Sequence, residues 1–428
     1  VVTTSRSVED AALPRSVRET APMVVAATTA LSWWALSGLE TVAFAWALAE
    51  GTRRFVAAAR DGRGASPSGA LILAVAALLR PEALLHAPLL GLGAALYAGR
   101  AGCFPSRRTL ALSAMAFALP VGAWFAFRLG YYGAWLPNTF YAKVGGEAHA
   151  LERGARYLAV GATCTPLLPL LLALGCALRR RMRPEVALPA TVAVVHLVYV
   201  ALVGGDYMPL FRLGAPVLPL LTLAAAGALG ARLEEVVSQR SRVAVALLLS
   251  ASMAAGLAAW LQPIARQPEG IVRRYEVAGR WLDAVLPPDA VVASSAIGAV
   301  GYLGRRRVLD MLGLIDTHIA RQRDPRIAQI RAAAGHGRAD AGYVLRRRPD
   351  VILLANVWVW PAPLTPQSAA RNPELLLLPD RLLFADPRFP ALYEVVNYRL
   401  GDGRWFGMAI RRDSPAHPGH PGYRGPPR

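Results

Sequence analysis

Lysine is all but missing. Of 47 Lys and Arg residues only one, Lys143, is lysine. Acids are also few, with 28 Asp and Glu, so the formal net charge reaches +19 although only 18% of residues are charged. So complete a preference for Arg reads as a coding bias. The Arg residues sit in short loops between apolar runs and no basic stripe is interleaved with aromatics, which argues against a nucleic-acid surface. The three cysteines, Cys103 in a polar loop and Cys164 and Cys176 within one apolar run, provide neither a disulfide framework nor a metal-ligand spacing. There is no Walker A sequence, no dinucleotide fingerprint after a strand, no zinc-protease helix and no nucleophile elbow. ATP-driven transport and soluble nucleotide-sugar chemistry lose ground accordingly. The first 20 residues lack the charged, apolar and small-residue blocks of a signal peptide. With Val1 where Met would stand, the sequence reads as an N-terminally incomplete gene product.

Apolar sequence is abundant. The 428 residues are 54% hydrophobic with a mean hydropathy of +0.35, too apolar for an ordinary soluble enzyme of this length. Runs long enough to enter or cross a bilayer lie at 24–49, 69–79, 83–97, 108–128, 156–177, 186–203, 211–230 and 243–262. Arg53, Arg54, Arg60 and Arg63 fill one intervening loop, and Arg100, Arg107 and Arg108 the next. A third holds Arg179, Arg180, Arg181 and Arg183, and a fourth Arg232, Arg240 and Arg242. The positive-inside rule turns all four toward the cytoplasm. Residues 69–97 must then enter and return, turning at Arg80-Pro81-Glu82 as two short helices or a re-entrant hairpin shielded by its neighbours. Residues 129–155, 204–210 and everything after 262 fall outside, as does Val1 to Pro22.

Composition changes after residue 262. A helix-like stretch from Ile271 to Val285 precedes β-rich runs at Val291–Ala293, Val308–Leu312 and Val351–Leu354, the pattern of a small α/β domain. The expected fold is a polytopic α-helical membrane protein with a C-terminal extracytoplasmic α/β domain. Its expected parts are an outer N-terminal remnant (1–22), a transmembrane domain of about eight segments (23–262), the α/β domain (263–413) and a disordered Pro/Gly/His/Arg tail (414–428).

Four polar constellations converge on the outer face. The loop from Tyr131 to Lys143 sets the lone lysine beside Trp135, Asn138 and Tyr141. Lys is a compact point charge suited to phosphate, and the aromatic rings can stack on a sugar. The plainer reading is an interfacial aromatic belt with a snorkelling lysine. In Gly204-Gly205-Asp206-Tyr207-Met208-Pro209, followed by Arg212, the acid would orient hydroxyls and Arg212 would fork onto a phosphate, or the two would simply pair across a tight turn. Arg80, Glu82 and His86 at the hairpin tip, and Glu40 after Trp34, are ionisable groups whose cost at membrane depth suggests a function, although Arg80 and Glu82 can also neutralise each other. Lastly, Asp310-Met311-Leu312-Gly313-Leu314-Ile315-Asp316-Thr317-His318 and Gly335-His336-Gly337 follow a predicted strand. Without a third spaced ligand they assign no metal site, and docking against the helical part is the plainer role.

These motifs, in this order, resemble the polytopic glycosyltransferases of the GT-C class, in particular the branch of the mycobacterial terminal arabinofuranosyltransferase. The resemblance rests on Trp34 to Thr41, Arg80-Pro81-Glu82, Leu136 to Lys143, Gly204 to Pro209 with Arg212, and Asp310 to Ala320 followed by Gly335-His336. It implies inverting transfer of a sugar from a polyprenyl-phosphate carrier to a cell-envelope glycan, lipid or protein at the outer face of a bacterial inner membrane. It also implies a catalytic acid in a first outer loop, which would lie upstream of Val1. Within this chain the substrate-binding residues would be Lys143 and Arg212 for the phosphate, Asp206 and Asn138 for the sugar or acceptor, and Tyr141 and Trp135 for stacking, with Glu40, Arg80 and Glu82 behind them. No cofactor is assigned; a divalent cation stays open. A carrier or flippase for a lipid-linked glycan is the alternative, and internal symmetry, common in transporters, is not evident here.

Overall fold

The computed structural model describes residues 1–428 except 11–14, 144–148, 166, 168–169, 172–182, 209, 237–257, 259–270, 331, 333–334, 355–358, 361, 372–375, 400–404 and 422–428. It forms two compact units: Val1–Trp135 with Ala150–Pro263, and Leu136–His149 with Ile264–Arg428. The expected boundary near 262 is therefore accompanied by a second crossing of the chain, because the Leu136–His149 segment belongs with the C-terminal unit.

The first unit is helical. After α1 (Val2–Asp10), α2 (Arg15–Ala27) and α3 (Thr29–Ala35), the chain turns through residues 36–40 and returns as α4 (Thr41–Arg60). The run 24–49 is thus two helical arms joined by a turn in which Gly38 takes a left-handed φ of +72°. Asp10 pairs with Arg53 at 2.6 Å, so residues 1–10 lie at the same end of the unit as the first Arg loop, not at the opposite end as expected. The expected remnant 1–22 also packs into this unit, Val8 and Ala21 closing on Leu223, and its boundary falls inside α2.

The hairpin follows as α5 (Pro67–Leu79) and α6 (Ala83–Arg100), turning at residues 80–82. Ser66 caps α5 by accepting the Gly69 N–H at 3.1 Å, with Pro67 at the first helical position. Then come α7 (Arg107–Tyr132), α9 (Ala150–Cys164), α10 (Pro184–Leu202) and α11 (Leu218–Val236), while α8 (Asn138–Lys143) joins the other unit. Arg60 and Glu185 pair at 3.0 Å, placing the start of α10 at the Arg-loop end.

About eight membrane segments were expected, yet among the described residues two helices, α7 and α10, are long and apolar enough to cross a bilayer. Helix α5 is also apolar, but its 13 residues span about 20 Å against a hydrocarbon core of about 30 Å. Helix α4 is long enough but carries Glu50, Arg53 and Arg54. The run 243–262, apart from residue 258, and the Arg179–Arg181 and Arg240–Arg242 clusters lie outside the described residues.

The second unit holds a mixed sheet. Strands β1 (Val291–Ser294), β2 (Arg307–Asp310) and β3 (Val351–Leu353) run parallel, with Ser294 opposite Asp310. Strand β6 (Trp405–Arg411) pairs antiparallel with β3, with β4 (Val359–Trp360) and, along its whole length, with β5 (Tyr393–Arg399). The three expected strands and the helix at Ile271–Val285, here α12, are present. Strands β5 and β6 were not anticipated, although Gly401-Asp402-Gly403 between two apolar stretches is a hairpin signal. The expected disordered tail begins instead with turns through residue 421. Ser414 and Ala416 are buried, and Ser414 Oγ donates to Asp350 at 2.9 Å, so a carboxylate anchors what composition alone marked as loose.

Candidate functional site

Two polar groups, one in each unit, hold the residues singled out by sequence. In the helical unit, the turn between α5 and α6 places Arg80 and Glu82, both nearly fully buried, beside Glu40 at the start of α4. Arg80 Nε lies 3.3 Å from Glu40 Oε1 and 3.8 Å from Glu82 Oε1, and its guanidinium lies over the Phe44 ring at 5.4 Å. Removing charges from water is repaid only when their remaining valences are filled. Here Arg80 Nη1, Glu82 Oε2 and Thr41 Oγ1 are buried without a protein partner among the described residues. Two donors and an acceptor left open at an ionic cluster match the needs of a hydroxylated ligand.

The second acid–base set sits in the loop between α10 and α11. Arg212 Nε donates to Asp206 Oδ2 at 2.5 Å, both side chains being mostly buried. The two therefore pair directly, the plainer of the two sequence readings. Across both sets, two arginines face three carboxylates. This balance suits hydroxyl groups better than a second anion, and it leaves Arg212 only its outer nitrogens for a phosphate. Trp135 lies just beyond the end of α7 in the same unit, 60% exposed, with its carbonyl accepting from Arg128 Nε at 3.1 Å.

The other group is built on α8. Asn138 Nδ2 donates to the Gly313 carbonyl at 2.7 Å. Gly313 has φ +79°, and a Cβ there would meet the Ala320 backbone N at 2.5 Å, so this approach requires glycine. Tyr141 carries the Arg321 guanidinium 4.9 Å from its ring centre and its carbonyl accepts from Arg323 at 3.2 Å. Lys143 is exposed and lies beside Gly335, where an added Cβ would sit 3.3 Å from Lys143 Cγ. Asn138, Tyr141 and Lys143 are thus brought together with the Asp310–Ala320 and Gly335 segments.

Asp310, at the end of β2, organises that segment by accepting from the N–H groups of Leu312 at 2.9 Å and Ile315 at 2.7 Å. Burial pushes its carboxyl above the ordinary value, and these N–H donors only partly offset the shift. Asp316 caps α13 (Thr317–Arg321) through the Ile319 N–H and accepts the Tyr343 hydroxyl at 3.1 Å. His318 stacks on Tyr343 at 4.1 Å and pairs with Asp340 at 2.8 Å. Burial works against the Asp340 charge, but the His318 bond and the Tyr343 N–H outweigh it and hold the carboxyl below its ordinary value. No group of three or more His, Cys, Asp or Glu able to hold a metal occurs among the described residues.

Sequence reasoning missed four contributors: Arg321 and Arg323 beside Tyr141, and Tyr157 and His196 near the Asp206–Arg212 loop. His196 was detectable, since an ionisable residue inside the apolar run 186–203 carries the same cost that marked Arg80. The two arginines are two among many in an Arg-rich chain and had no local signal.

Residues 265–415 match the model of a domain-of-unknown-function family, DUF8728. No curated protein and no solved structure matches the chain.

Proposed function

We propose that the chain is a polytopic membrane glycosyltransferase that moves a sugar from a polyprenyl-phosphate donor to a cell-envelope glycan, lipid or protein on the outer face of a bacterial inner membrane. One observation carries the proposal. The segments Leu136–Lys143, Asp310–Ala320 and Gly335, which carry the family resemblance, meet in one unit, Asn138 bonding Gly313 across 175 residues of sequence and Lys143 lying beside Gly335. A fortuitous motif match gives no reason for such distant pieces to assemble. The membrane part of the reading is supported by α7, whose apolar stretch is only 6% buried.

Departure of a lipid phosphate builds negative charge, and fixed cations lower its energy most where water is scarce. Within the unit that holds α8, Lys143, with Arg321 and Arg323 beside Tyr141, supplies such cations. Within the helical unit, the Glu40–Arg80–Glu82 cluster and Asp206 bind and orient hydroxyls, and Arg212 is a candidate for the phosphate. The base that deprotonates the acceptor is not assigned to any of these residues.

The test is binding of decaprenyl phosphate by the full chain in lipid nanodiscs. Saturable binding is expected, weakened about tenfold by Lys143→Ala and much less by Lys143→Arg. Absence of saturable binding, or indifference to Lys143→Ala, would overturn the proposal.

A further inference from the structure

The backbone that carries Arg212 is held in a conformation that its own residues disfavour. Leu210 and Phe211 have φ of +54° and +55°. Two consecutive bulky residues in the left-handed region form a genuine outlier, which persists only when the surroundings over-determine it. Those surroundings come from four separate helices. Trp34 Nε1, on α3, donates to the Leu210 carbonyl at 3.1 Å. The Tyr157 hydroxyl, on α9, accepts the Leu213 N–H at 3.0 Å, and the Tyr157 ring stacks on Phe211 at 5.3 Å. His196 Nε2, on α10, lies 2.7 Å from the Leu213 carbonyl. That carbonyl can only accept, so Nε2 carries the proton. In the neutral ring Nδ1 then accepts, and its partner at 3.0 Å is His86 Nε2 on α6. Phe211 is fully buried in a slot that Gly161 and Gly214 leave open, since a Cβ at either would fall 2.2 or 2.1 Å from its ring.

Thus Leu210, Phe211 and Leu213 are fixed on all sides, while Arg212 between them is left to meet Asp206. We propose that Trp34, Tyr157 and the His86–His196 pair are positioning residues that clamp this loop and set the direction of Arg212. The role in ligand binding rests on the transferase reading; the clamp itself does not. The relay is assigned to holding geometry rather than moving protons, because its last acceptor is a backbone carbonyl.

Two measurements on the full chain separate these claims. The first is hydrogen exchange of the peptide covering residues 205–214. Tyr157→Phe and His196→Leu are expected to speed its exchange about tenfold, whereas His196→Gln, whose amide can still reach the Leu213 carbonyl, stays near wild type. Unchanged exchange in both disruptive variants would overturn the clamp. The second is a double-mutant cycle read by decaprenyl phosphate affinity. If His196 acts through Arg212, His196→Leu weakens binding in the wild type but has no further effect in an Arg212→Ala background. Equal losses in both backgrounds would mark His196 as merely structural and overturn the positioning role. If the wild type binds no decaprenyl phosphate, the transferase reading fails and the exchange result alone decides the clamp.

Discussion

Asp310 and Asp340 lie 30 positions apart in the same unit, yet their environments push them in opposite directions. Burial raises the Asp310 carboxyl above its ordinary 3.8, so folding favours its protonated form. Its favourable contribution is present below the unfolded value and is lost as pH rises through the higher folded value. Asp340 is lowered from 3.8, so its contribution is present above that value and is lost as pH falls through the lower folded one. Asp340→Asn should therefore destabilise the protein most near neutral pH, with the difference from wild type shrinking below pH 3.8. Asp310→Asn should improve its standing against wild type as pH rises above 3.8, although the loss of one acceptor for the Leu312 or Ile315 N–H costs about 1–3 kcal/mol at any pH. Melting curves of the detergent-solubilised chain from pH 3 to 7 check both. Parallel pH profiles for the two variants would contradict the assigned environments.

Helix α7 makes a claim of its own. Leu119 is 63% exposed, Phe127 50% and Trp124 40%, and on a water-facing helix such a surface would be an aggregation liability. If lipid covers it, Leu119→Arg places a charge near mid-helix at a cost of about 2.5–3.5 kcal/mol on the insertion scale, and the fraction of chain recovered in membranes should fall. Normal membrane recovery would mean that Leu119 does not face lipid. At this scale the sequence was partly legible. The α5–α6 hairpin could be read because Arg80-Pro81-Glu82 interrupts an apolar run with charge and a helix breaker, and β1 to β3 because Val and Ile cluster between turn residues. The break between α3 and α4 was not legible. Ser37-Gly38 is a weak interruption between apolar stretches, and only the return of α4 onto α3 gives Gly38 its left-handed conformation. The docking of α8 onto the 310–320 segment was equally hidden, since hydrogen bonds across 175 residues leave no local trace. What sequence could deliver for that site was its parts, Asn138, Tyr141 and Lys143, because unusual residue types stand out against an Arg- and Ala-rich background.

Across the whole molecule the distribution of charge predicts an orientation that can be measured. The Arg53–Arg63 and Arg100–Arg108 loops lie at one end of the helical unit, where a Cβ on Gly62 would sit 3.1 Å from Cys103 and Arg60 pairs with Glu185 at the start of α10. If the helical unit spans a membrane, the positive-inside rule turns that end to the cytoplasm, and the Asp10–Arg53 pair would bring residues 1–10 with it. Exposed Cys103 is a natural reporter. In a Cys164→Ser, Cys176→Ser background it should react with a membrane-impermeant maleimide in inverted vesicles and stay protected in intact cells. A second reporter decides between the two topologies for the N-terminal residues. If α2 and α3 form an ascending arm and α4 a descending one, a cysteine at position 10 labels from the same side as Cys103. If the run 24–49 crosses as a single span, the two label from opposite sides, and the Asp10–Arg53 ion pair cannot exist in the membrane-embedded protein. Same-side labelling would also leave the Arg80 and Arg212 clusters, at the other end of these helices, facing the compartment where a lipid-linked sugar would be used.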